Sequence, residues 1–230
     1  MTTIRTIAVH EIVRRTYPRP PPEDRDEIAM ATGKAIDGTM TQLGHDARQG
    51  RRSSATALRT LAASLLDDAL AEAVVAVPAD ERERILDQVR AVLQAYRRSP
   101  IFGLGRPRSR LIMIGGAVGV YAQPDFWDGR ARIFEMKSFG AIPPRPDVAL
   151  QLRYFQLAFP QFHTVLICFD RHRAPIEWTS TTIPPPTDAE AAEALRLGHD
   201  LGLAYGQEKV LEYLDGQAVS YALPPPSTGG

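Results

Sequence analysis

The sequence predicts a mixed α/β fold, in which a mixed central sheet is flanked by helices and a helical N-terminal region lies against it. Three observations point there. Apolar residues recur at helical spacing through the first hundred residues, and the period shifts to that of strands after about residue 110. Two later helical stretches, over 144–159 and 186–214, then alternate with strand-like runs.

The elements follow in order. "TIAVHEIVRRTYP" reads as a short helix, and the "PRPPP" after it as an extended link, because proline fixes φ and removes a donor. From Asp24 to about Arg48 a helix carries Ile28, Ala31, Ala35 and Met40 on one side. "RQGRRSS" interrupts, and a long helix from about Ser54 to Val75 has Leu58, Leu61, Leu65 and Ala69 in register. In "VPADERERIL" the spacing makes Asp80 a cap with Glu83 reaching back, ahead of an apolar stripe of Ile85, Val89, Leu93 and Tyr96. After a proline-containing loop, "LIMIGGAVGVYAQPDF" and "ARIFEMKSF" read as two strands joined at Asp128-Gly129, a favoured hairpin pair. Pro146 opens a helix that turns Val148, Leu152, Phe155 and Phe159 inward. "HTVLICFD" and "APIEWTSTTI" are two more strands, and Thr187 with Glu190 has capping-box spacing at the start of a closing helix. Residues 1–100 are thus expected as a helical region packed on a core of residues 101–223, with 224–230 a frayed tail.

Composition bounds the function. A chain of 230 residues can bury one sizeable core, so one domain, or one with a helical subdomain, is expected. Lys+Arg and Asp+Glu are both 27. With no net field, a histone-like or tail-driven binder is disfavoured and any nucleic-acid surface must be a local patch. Lysine occurs only at 34, 137 and 209, asparagine is absent, and 19 residues are proline. That profile fits a thermophilic source. Cys168, the single cysteine, lies in an apolar run and reads as a small buried hydrophobe; disulfides, zinc clusters and iron–sulfur clusters within the chain are excluded. No secretory signal pattern opens the chain and no apolar run approaches ~20 residues, so a cytoplasmic protein with no membrane partner is expected.

The chemistry concentrates in "AQPDFWDGRARIFEMKSF". Glu135 and Lys137 sit two apart in a strand that otherwise reads as buried, so they share one face while Phe134 and Met136 take the other. Burying either charge alone is costly. A strict two-residue loop at Asp128-Gly129 would pair Asp125 with Arg132 and put it on the face opposite Glu135. A three-residue loop with a left-handed residue at or beside Gly129 shifts the register by one and brings Asp125, Glu135 and Lys137 together. The second turn is the expected one. Two carboxylates and a lysine converging on a half-buried face suit a divalent cation such as Mg2+ or Mn2+, which takes oxygen ligands and completes its shell with water and phosphate oxygens. Such a cation activates a water and stabilises charge on phosphate, the chemistry of phosphodiester hydrolysis.

Pro124-Asp125, then nine residues, then Glu135-Met136-Lys137, resembles the signature of the PD-(D/E)XK nucleases. Gln151-Leu152-Arg153-Tyr154-Phe155 resembles the Q-h-x-x-Y helix of the RecB-like and CRISPR-associated exonuclease branch, with Phe155 at the tyrosine's place and Tyr154 one position early. "TGKAID" resembles that branch's upstream G-x-x-x-H helix, with Asp37 in place of the histidine, and the branch's iron–sulfur cysteines are missing. The resemblance implies a restriction-endonuclease-like core. It makes Asp125 and Glu135 the ligands of Mg2+ or Mn2+, joined by the Met136 carbonyl, with Asp37 either a further ligand in the histidine's place or an idle position, Lys137 assisting attack and Gln151 supporting the site.

Two arginine clusters, Arg48, Arg51 and Arg52, and Arg106, Arg108 and Arg110, are candidates for gripping a phosphate backbone, with Trp127 and Tyr154 as stacking surfaces. Phe126 is expected in the core. Gly115, Gly116 and Gly119 form no phosphate loop, and HExxH and G-x-S-x-G patterns are absent. The reading is therefore a Mg/Mn-dependent deoxyribonuclease, an exonuclease in DNA repair, recombination or mobile-element processing, acting on single- or double-stranded DNA. It leaves room for a homo-oligomer or a protein partner in a repair or recombination complex. The alternatives are a catalytically inactive nucleic-acid-binding or assembly protein on the same fold, and a hydrolase of small phosphate esters.

Overall fold

The computed structural model of the protein describes residues 2–18, 24–137, 144–170, 175–211 and 218–223. Among them the order is β1 (Thr2–Ala8), α1 (Val9–Thr16), α2 (Asp24–Arg48), α3 (Ala55–Ala73), α4 (Ala79–Arg98), β2 (Arg110–Ile114), β3 (Val118–Ala122), β4 (Phe126–Trp127) and β5 (Arg132–Lys137). Then follow α5 (Pro146–Ala158), β6 (His163–Asp170), β7 (Glu177–Ile183), α6 (Asp188–Tyr205), β8 (Gln207–Leu211) and β9 (Ala218–Tyr221). The expected extended link beyond Pro18, the end of the "ARIFEMKSF" strand at Ser138 and Phe139, and the tail 224–230 lie outside the described residues.

The mixed α/β class holds, and its strands divide into two mixed sheets flanked by the six helices, in the orders β8-β1-β3-β2-β9 and β4-β5-β6-β7. In the second sheet β5 and β6 run parallel, from Arg132 beside His163 to Lys137 beside Cys168, and β4 and β7 are antiparallel edges. Parallel neighbours need a crossover, and α5 supplies it. Pro146 stands in its first turn, where a missing N–H costs nothing. The two faces of β5 then feed two cores. Phe134 packs with Val165, Ile167 and Phe169 against α2, α3 and α4. Ile133 packs with Leu166 and Cys168 against α1, α5, α6 and the first sheet.

Several elements differ from expectation. Thr2–Ala8 is a strand and only Val9–Thr16 a helix. This β-branched segment gains a parallel partner in β3 and an antiparallel one in β8, and tertiary pairing overrides local pattern. "LIMIGGAVGVYAQPDF" is three strands, because Gly115 and Gly116 both take positive φ and close a tight turn between β2 and β3. The closing helix stops at Tyr205, and residues 207–211 pair with β1 instead. In α3 the buried stripe is Leu58, Ala62, Leu66, Ala69 and Leu70, with Leu61 and Leu65 half-buried. The N-cap of α4 is Pro78, and Asp80 lies inside the first turn without capping it.

Helix α6 carries the capping box expected from Thr187 and Glu190. It approaches β3 closely because Gly198 and Gly202 face the sheet, and a Cβ on Gly202 would overlap Val118. Gly202→Ala should therefore destabilise the protein by about 1–3 kcal/mol, the usual cost of overpacking. Urea unfolding checks this; an unchanged midpoint would show that α6 is free to shift off the sheet.

Candidate active site

The β4–β5 hairpin sets the geometry. Phe126 pairs with Phe134 and Trp127 with Ile133, and the Asp128 N–H donates to the Arg132 carbonyl at 3.2 Å. Three residues remain for the loop, Gly129 to Ala131, and Gly129 has φ of 75°. The loop forms around one carboxylate: Asp128 Oδ1 accepts the backbone N–H of Arg130, Ala131 and Arg132 at 2.9, 3.0 and 3.0 Å. Its Oδ2 accepts from Arg132 Nε at 2.9 Å. Burial pushes the Asp128 carboxyl up, but Arg132 and these three donors outweigh it and hold it well below the usual carboxylate range. This is the bulged register the sequence requires for a shared site. Extended one residue, it puts Asp125 opposite Glu135, and Asp125 Oδ2 accepts the Met136 N–H at 2.9 Å.

Glu135 points to the α5 side of the sheet and is 3% exposed. Its Oε1 accepts from Lys137 Nζ at 2.6 Å, and the same Nζ donates to Gln151 Oε1 at 3.0 Å. The crossover explains the third member, since α5 returns over β5 with Gln151 one turn into the helix. Glu135 Oε2 is buried with no hydrogen-bond partner among the described residues. Burial first, then the charge of Asp125 and a hydrogen bond to it from the protonated form, raises the Glu135 carboxyl to about 8, against the pull of Lys137. Burial lowers Lys137, but Glu135, Asp125 and Asp147 outweigh it and hold the ammonium above its usual range.

An orphaned carboxylate oxygen beside a second carboxylate fits a hard divalent cation, and Asp125 and Glu135 are the side chains placed to hold one. Among the described residues no three His, Cys, Asp or Glu side chains gather into a metal group, so the remaining ligands would have to be main-chain oxygen, water or substrate. Met136 supplies the N–H to Asp125, and its side chain packs into the α2–α4 core. Asp37 stands at the rim, within electrostatic reach of Asp125, and pairs with Arg106 at 3.4 Å.

The other candidates separate into two groups. Arg51, Arg52, Arg106 and Arg108 are exposed, and Arg48 is exposed with its guanidinium on the Leu104 carbonyl at 2.6 Å. Trp127 is 39% exposed, in strand β4 beside the loop, and edge-on to Phe162 at 6.0 Å. Phe126 is in the core, as expected. Arg110 instead lies over Phe159 at 4.7 Å and donates to the Ala158 carbonyl and Gln161, so it is spent on packing. Tyr154 is 0% exposed and its hydroxyl donates to the Ala194 carbonyl at 2.6 Å. It joins α5 to α6 and offers no stacking face. Sequence reasoning missed Asp147, which lies one turn before Gln151 and adds negative charge near Lys137. Its spacing of four from Gln151 on one helix was the available signal.

No protein-family model matches the chain, and no curated protein matches it in sequence. Among solved structures it is similar to a candidate exonuclease from Eubacterium rectale, at 9% identity, covering 92% of this chain and 86% of that one with a TM-score of 0.50. It also aligns with SSO0001 at 13% identity over 86% and 84% of the two chains, but that TM-score of 0.38 is too low to carry an argument. The first likeness shows a shared mixed α/β fold.

Two outcomes are expected from this geometry. Asp128→Ala removes four hydrogen bonds to a charged acceptor and should cost about 2 kcal/mol. Because the folded value lies below the unfolded one, that contribution is complete above about pH 4 and fades on acidification, so the gap between the native protein and the variant in urea unfolding should narrow below pH 4. For Glu135 the sign is opposite: the folded protein holds a proton the unfolded chain has lost, so metal-free stability declines as pH rises from about 4.5 to 8. A bound cation needs the deprotonated form, so the rise in Tm with Mn2+ should grow from pH 6 to pH 8 and be absent in Glu135→Gln.

Proposed function

We propose that the chain is a Mg2+- or Mn2+-dependent deoxyribonuclease of the PD-(D/E)XK type, an exonuclease acting in DNA repair, recombination or mobile-element processing. One observation carries the reading: a buried Glu135, opposite Asp125 and bonded to a lysine that Gln151 also holds, whose second oxygen has no partner among the described residues. A structural ion pair between Glu135 and Lys137 would not need the second carboxylate of Asp125 beside it. The shared mixed α/β fold and the neighbour's name as a candidate exonuclease support the same chemistry.

When bound, a divalent cation supplies a water of lowered pKa and a Lewis acid for the phosphate. The chain's own groups do the rest. Asp125 and Glu135 hold the cation, and the Met136 N–H fixes the Asp125 carboxylate in place. Lys137, charged and oriented by Glu135 and Gln151, faces the scissile phosphate to stabilise its developing negative charge and to position the attacking water. Arg51, Arg52, Arg106 and Arg108 are exposed and available to phosphates of the substrate. Among the described residues no helix is long and apolar enough to cross a membrane.

Fluorescent single- and double-stranded DNA should be cut with Mn2+ or Mg2+ and stay intact with chelator. Glu135→Ala and Lys137→Ala should each lower the rate by about 10²-fold or more, the scale of losing a preorganised charge in a phosphoryl site. Binding without cutting in any metal, unchanged by either substitution, would replace this reading with that of a binding protein on the same fold. Cleavage of a small phosphate ester in place of DNA would move the substrate class.

A further inference from the structure

The loop of residues 103–108 is tied down twice before it reaches the site. The Trp127 N–H donates to the Gly105 carbonyl at 2.9 Å, adding a bridge to the edge of β4, and Arg48 from α2 donates to the Leu104 carbonyl at 2.6 Å. Arg106 follows directly. Its guanidinium meets Asp37 through one contact of 3.4 Å, with the two side chains 47% and 56% exposed. Asp37 in turn lies within electrostatic reach of Asp125.

A lone long contact between half-exposed groups is a weak pair, screened by water and salt. Among the described residues the Arg106 guanidinium meets this one carboxylate through Nη2, and a phosphate accepts two guanidinium N–H groups side by side, a stronger arrangement than the single contact to Asp37. The anchors at the Leu104 and Gly105 carbonyls nevertheless fix the backbone just before Arg106, so its position does not depend on the pair. We propose that Arg106 recognises a non-scissile phosphate of the strand bound at the site and that Asp37 is its resting counter-ion, exchanged for that phosphate on binding. In this arrangement Asp37 is a positioning residue that competes with substrate, and it is not a ligand of the cation. The proposal rests on the nuclease reading for the identity of the phosphate as nucleic acid.

The test is binding of a fluorescein-labelled dT oligonucleotide to the full chain in EDTA, followed by anisotropy over a series of salt concentrations, with no cleavage involved. Arg106→Ala should weaken binding and reduce the slope of log K against log salt by about one. Asp37→Asn should tighten binding several-fold, and the gain should shrink when Arg106→Ala is also present, because long-range charge alone would give the same gain in both backgrounds. The Mn2+-induced rise in Tm should persist in Asp37→Asn. Unaltered binding in Arg106→Ala, or a gain from Asp37→Asn that is the same in both backgrounds, would overturn the proposal. Loss of the Mn2+ effect in Asp37→Asn would overturn it too and make Asp37 a ligand. Failure of the nuclease reading is separate, since it appears as intact DNA in Mn2+ whatever these binding curves show.

Discussion

The structure depends on keeping one carboxyl group, that of Glu135, out of water opposite a second, that of Asp125. A buried carboxylate with an unmatched oxygen is expensive, and two facing each other are worse. The chain concentrates its means of tolerating this within a few residues. Lys137 bonds one Glu135 oxygen, Gln151 steadies the lysine from the crossover helix, and the Met136 N–H satisfies an oxygen of Asp125. Among the described residues the other oxygen of the ionised Glu135 has no hydrogen-bond partner, an environment that suits a cation ligand.

That arrangement is set by register more than by sequence proximity. A hairpin one residue tighter would turn Asp125 to the far face, and the loop that prevents it is organised by Asp128, whose carboxylate gathers three successive N–H groups. The residue therefore acts on the chemistry from outside the site. The parallel β5–β6 pairing forces a crossover, and the crossover is what lets α5 deliver Gln151 to Lys137. Behind β5, Phe134 and its neighbours join the core beneath α2–α4, while Ile133 joins the core beneath α5 and α6. The charged face is thus a small polar island at the edge of otherwise apolar packing.

The long helices α2 to α4 and the bulged hairpin were legible in the sequence because each rests on local rules: the apolar period, and a glycine in a left-handed turn. Strands β1, β8 and β9 were not, since their assignment depends on partners far along the chain; Thr3 pairs with Val210 only in the folded sheet. The central charges were legible by the strand period of two, and Gln151 through the resemblance of its helix to the Q-h-x-x-Y pattern. Tyr154 and Arg110 were misplaced because composition marks an aromatic or an arginine as a candidate without saying whether a carbonyl elsewhere already accepts its donor. Asp37 was marked by a resemblance in sequence, but its Arg106 partner lies 69 residues away and is visible only in three dimensions.

The central claim is that Asp125 and Glu135 form a cation site. The most direct measurement is an anomalous difference map from crystals of the native protein soaked in Mn2+ at pH 8, where Glu135 is free to lose its proton. The account predicts a peak in contact with the Glu135 oxygen that now lacks a partner, shared with Asp125. No peak there at saturating Mn2+, with Glu135 still bonded only to Lys137, would contradict it and leave the buried charges as a structural ion pair.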